Sequence, residues 1–167
     1  MEESTRAFVR NLDESMKAES ALFVGLGESF QRLRESFQGK EWGPSLALAE
    51  EIQRSAQSIE RADTARDEAF VRLREDLDMP RESAFSALLP VLPDAERELL
   101  EESWRALRMA VVRLKTATGR MRYAAESLSR TLNRILDEAF PYRKGKIYSR
   151  RGTPTSVSGA LLVDRKL

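Results

Sequence analysis

LEESWRALRMAVVRLKTATGRMRYAAESLSRTLNRILDEA, residues 100–139, decides the fold. Leu100, Trp104, Leu107, Val111, Leu114, Thr118, Met121, Ala125, Leu128, Leu132, Ile135 and Ala139 recur at alternating steps of four and three. Such steps keep side chains on one face of an α-helix, whose turn is close to their mean spacing. The pattern predicts one helix from Asp94 to Phe140, about 70 Å long at 1.5 Å per residue. Leu107, Val111, Leu114 and Met121, in the middle of the stripe, are expected to be buried.

Upstream, Val9, Leu12, Met16, Phe23, Leu26, Phe30, Leu33 and Phe37 follow the same rule, with Glu19 in the skipped slot. They predict a helix over about Thr5 to Gln38. Gly39 to Pro44 interrupts it, because two glycines and a proline disfavour helix. A second helix carries Leu48, Ile52, Ala56, Ile59, Phe70, Leu73 and Leu77, with Asp63 and Arg66 where apolar residues belong. A polar layer of this kind sets the register between helices. Asp78 to Glu82, with Pro80 inside, ends this helix, and Ala84 to Leu89 suits a short helix before Pro90 and Pro93. The expected fold is all-α: an elongated antiparallel bundle of three long helices plus a short connecting helix, over residues 1–140.

Pro141 favours an extended residue before it and so a helix stop. Residues 141–167, rich in Gly, Ser and Thr, have too little apolar surface to fold alone and are expected to form a flexible basic tail. Seven basic residues (Arg143, Lys144, Lys146, Arg150, Arg151, Arg165 and Lys166) stand there against Asp164, a net +6, while the first 140 residues carry 21 basic and 26 acidic side chains. A basic tail on a mildly acidic body points to an acidic partner surface for the tail.

Composition narrows the function. The chain has no cysteine and no histidine, which removes thiol chemistry, the commonest neutral-pH base and the commonest transition-metal ligand. No catalytic residue, metal ligand or cofactor is expected, and the chain is read as a non-enzyme. Its first residues lack the basic-then-apolar order of a secretory signal, and Ala21 to Gly27, its longest strongly apolar run, is too short to span a bilayer. These features lead to the expectation of a cytoplasmic protein without membrane insertion.

Several local patterns invite chemistry and are better read as structure. Gly25-Leu26-Gly27-Glu28-Ser29 lacks the Lys-Ser or Lys-Thr and the preceding strand of a phosphate loop, and reads as a helix weakening or close helix approach. Glu50 with Glu51, Glu75 with Asp76, and the acids from Glu96 to Glu102 lie off the apolar stripes and read as solvated faces. Trp104 reads as core and Trp42 as cover for a bundle end. The tail's charge is diluted by Ser, Thr and Gly, so nucleic acid is not expected as its partner.

Ile147-Tyr148-Ser149-Arg150-Arg151-Gly152-Thr153-Pro154, followed by Thr155-Ser156-Val157-Ser158 and the ending Leu161-Leu162-Val163-Asp164-Arg165-Lys166-Leu167, resembles the C-terminal segment of FlgN-type flagellar export chaperones. The body is similar too, with a long first helix, a break, an Arg- and Glu-rich second helix, a Leu-Leu-Pro connection at Leu88 to Pro90, and a long final helix. Where the family often has Asn-Gly in that final helix, this chain has Thr118-Gly119. The resemblance implies a cytoplasmic chaperone of type III protein transport in flagellum assembly. Hook-filament junction proteins would be its clients, and the flagellar export gate with its associated components its destination. Partner binding is expected at Ile147, Tyr148, Arg150, Arg151, Gly152, Leu161, Leu162 and Val163, and the resemblance puts Tyr148 at the gate contact. The other reading is a coiled-coil adaptor or structural spacer whose basic tail binds an acidic partner or RNA.

Overall fold

A computed structural model of the chain describes residues 3–139, 147–148 and 154–155. Long helices dominate: α1 (Glu3–Gly39), α2 (Trp42–Asp76), a single turn α3 (Phe85–Leu88) running into a 3-10 turn (Leu89–Val91), and α4 (Asp94–Ala139). The chain divides into two compact units, Met1–Ala124 and Ala125–Leu167, with the boundary inside α4.

In the first unit α1 and α2 form an antiparallel hairpin. Thr5 Oγ1 donates to Asp76 Oδ2 (2.6 Å), Arg66 Nε to Glu19 Oε2 (2.6 Å), Ser29 Oγ to Glu51 Oε1 (2.7 Å), and the Ser36 and Ser45 hydroxyls meet at 2.7 Å. The polar interruptions expected in two separate stripes therefore meet, Glu19 of α1 against Arg66 of α2. Asp63 and Asp67 (2.9 Å) complete the shell around that guanidinium. α4 lies parallel to α1, joined by Arg6 to Glu96 (3.5 Å) and by a buried hydrogen bond from Ser103 to Asp13.

Both hairpin helices stop in the same way. Lys40 N–H bonds Phe37 O and Glu41 N–H bonds Ser36 O, with Lys40 in the left-handed region (φ 58°). Asp78 repeats this after α2 (φ 51°), with Asp78 N–H on Glu75 O and Met79 N–H on Arg74 O. These paired bonds satisfy carbonyls that a helix end leaves bare. The break after α1 is shorter than its Gly and Pro content suggests: Gly43 and Pro44 lie in the first turn of α2, where the missing proline N–H is not needed. Ser36 and Ser45 both donate to Glu41 O (2.7 and 2.8 Å), which ties the turn together.

The apolar core sits at one end of the first unit. Val9, Leu12 and Met16 of α1 meet Ala69 and Leu73 of α2 and Leu100 and Leu107 of α4. Leu88 and Leu92 close it from the connection, and Phe85 packs between Phe70 (6.3 Å) and Trp104 (4.7 Å, stacked). Of the four α4 residues expected to be buried, Leu107 and Met121 are buried, and Val111 and Leu114 are not. The buried edge beside Leu100 and Leu107 is Ser103 and Ala110, whereas Trp104, Val111 and Leu114 are half-buried.

In the second unit the last part of α4 exposes Leu132 and Ile135, although the stripe predicts them buried. Ile147–Tyr148 (β1) pairs antiparallel with Pro154–Thr155 (β2), Ile147 opposite Thr155 and Tyr148 opposite Pro154. Among the described residues no helix is long and apolar enough to cross a membrane.

Candidate partner-binding surface

Small residues on facing helices leave space between α1 and α4. Gly27 and Ala117 line a groove of about 360 Å³ whose walls include Phe23, Val24 and Val112. Nothing lies within 4 Å of a Cβ placed at Gly25 or Gly27, so the close helix approach read from these glycines is corrected to open space. Along α4 a second depression of about 350 Å³ is formed by Trp104, Met109 and Val112 with Glu101, Arg105 and Arg108. It meets the first at Val112. Val24, Met109 and Val112 are 41%, 49% and 55% exposed, which is high for apolar side chains lining a common trough. Beyond Ala117 a recess of about 90 Å³ is lined by Phe30, Gln31, Arg34 and Arg120.

The charge along this surface differs from that of the body as a whole. From Arg105 to Ala125, α4 carries Arg105, Arg108, Arg113, Lys115, Arg120 and Arg122 and no acid. All six are exposed. A net charge taken over the first 140 residues averages this run away, and a window of three heptads along α4 finds it. Between α1 and α2, two arginines pair directly across the hairpin, Arg32 and Arg66. Arg32 meets Glu51 at 2.5 Å, and hydrogen bonds from Ser29 and Arg32 hold the Glu51 carboxyl below its ordinary range. The acidic clusters read as solvated faces thus supply inter-helix clasps through Glu51, Asp76 and Glu96. Trp42 is about half exposed and tilts against Phe37 at 6.2 Å.

Of the partner-binding residues expected in the tail, Ile147 and Tyr148 fall in β1, where only the backbone pairing is described. Arg150, Arg151, Gly152, Leu161, Leu162 and Val163 lie outside the described residues. Compared with known proteins, the chain matches no family model, no curated protein and no solved structure.

Proposed function

We propose that this chain is a cytoplasmic flagellar type III export chaperone that holds hook-filament junction subunits and delivers them to the export gate. The observation that carries the reading is the open apolar trough between α1 and α4, with Val24, Met109 and Val112 uncovered on an all-α bundle. A trough of this kind suits a helical segment of a client, which buries side chains at i, i+3, i+4 and i+7 in a groove. The likeness of the Ile147 to Ser158 segment to the tails of FlgN-type chaperones supports the delivery step, with Tyr148 as the aromatic anchor at the gate. An arm anchored through one aromatic binds weakly and releases quickly, as repeated delivery requires.

Co-expression with the terminal segment of a hook-filament junction subunit tests the reading. A one-to-one complex is expected, lost in Val112→Glu with an unchanged melting temperature because Val112 is exposed. Tyr148→Ala is expected to keep the complex and weaken gate binding. Failure to recover a complex with any junction subunit sinks the proposal.

A further inference from the structure

Arg105, Arg108, Arg113, Lys115, Arg120 and Arg122 form no ion pair with a carboxylate among the described residues. Four of the six line the apolar depressions: Arg105 and Arg108 beside Met109, and Arg113 and Arg120 beside Val112. Arg120 also reaches the small recess with Arg34, whose Nε is buried and has no hydrogen-bond partner. Guanidinium groups around an apolar floor suit a carboxylate, the planar acceptor that matches their fork of donors.

The geometry points to an acidic amphipathic helix of a partner protein as the occupant of this groove, with a carboxylate seated against Arg34 and Arg120. The inference rests on reading the trough as the place where a client is held, and it adds the chemistry of the segment held there. From Trp104 to Arg120 the surface runs about 24 Å along α4 at 1.5 Å per residue, the length of four to five helical turns. Apolar side chains of the occupant cover Phe23, Val24 and Val112, and acidic residues on its flanks meet Arg105, Arg108 and Arg113. A nucleic acid fits less well. Its phosphates engage arginines but leave the apolar floor uncovered, and Glu28 and Glu101 on the groove walls repel a uniform polyanion. An anionic bilayer is too flat to enter a concave trough.

The test measures binding of the full chain to two fluorescent helical peptides of about 18 residues, long enough to span the trough. Both carry leucine at i, i+3, i+4 and i+7. One has glutamate on the flanks, and the other has glutamine at the same positions. A uridine oligonucleotide and phosphatidylglycerol vesicles serve as polyanion probes, and capture of a junction subunit is scored in parallel. The glutamate peptide is expected to bind roughly tenfold more tightly than the glutamine peptide, with an advantage that shrinks as salt rises. The double variant Arg34→Gln, Arg120→Gln is expected to remove most of that difference while leaving melting temperature and glutamine-peptide affinity unchanged. Equal binding of the two peptides, both blocked by Val112→Glu, overturns the acidic chemistry and leaves the groove as a partner site. Binding of neither peptide together with failure to capture a junction subunit overturns both readings. Capture of the subunit without binding of either peptide, or without dependence on Arg34 and Arg120, overturns the inference alone. Arginine-dependent binding of the oligonucleotide or the vesicles in place of the peptides also overturns it.

Discussion

Glu19 is 3% exposed, and burial pushes its carboxyl above the ordinary range even though Arg66 donates to it. The carboxylates of Asp63 and Asp67 add to that upward push. A carboxyl whose folded pKa is raised contributes stability that is fully present below its unfolded pKa and is lost as pH rises through the folded value. Glutamine keeps an oxygen for Arg66 and carries no charge to bury. Glu19→Gln is therefore expected to be at least as stable as the parent at pH 7, with the difference vanishing below about pH 4, under the unfolded carboxyl range. Urea titrations at the two pH values check this. A variant less stable than the parent at pH 7 and equal to it at pH 4 reverses the sign and defeats the account. Glu19 and Arg66 were legible in the sequence as a polar layer, because each broke an apolar stripe in its own helix. Their direct partnership was not, since it depends on a register between α1 and α2 that neither stripe fixes alone.

For the helices, existence and period were readable, and the α1 stripe is its buried face, but the buried edge of α4 is only partly the expected one. Around α4 the apolar face is wide: Ser103, Trp104, Leu107, Ala110, Val111 and Leu114 span both sides of one row. A stripe that broad can rotate without exposing its centre, so the packing partner chooses which edge turns inward. The inward turn of Ser103 and Ala110 leaves Trp104 to stack on Phe85. The groove was hidden for the same reason, because its space comes from small residues, Gly27 and Ala117, on two separate helices. α1 and α2 end within a few residues of the expected stops, but the left-handed residue after α1 is Lys40 and not the adjacent Gly39. A side chain with a Cβ pays a steric penalty in that conformation, of roughly 1 kcal/mol relative to glycine. Lys40→Gly is expected to stabilise the first unit by about that amount. Its melting temperature should rise by a few degrees, and no change or a fall counts against the strain.

Across the whole chain, residues that look equivalent in the stripe of α4 carry very different shares of stability. Leu100 is fully buried against α1, α2 and the connection, whereas Leu132 is 45% exposed. Leu100→Ala is expected to cost about 2–5 kcal/mol, and Leu132→Ala less than about 0.5 kcal/mol. Chemical denaturation of both variants decides this, and similar losses would mean that the C-terminal part of the stripe is covered after all. The contact from Ser103 to Asp13 links residues 90 positions apart, while the hydroxyl pair at the α1–α2 turn links residues only nine apart. During synthesis the hairpin of α1 and α2 can therefore close well before α4 has left the ribosome. At 5–20 residues per second the nascent chain waits on the order of seconds with Val9, Leu12 and Met16 lacking their α4 partners. That interval exposes the unfinished core to aggregation and to ribosome-associated folding factors, so α4 acts on the newborn protein as the closing element of its core before it can present a surface to any partner.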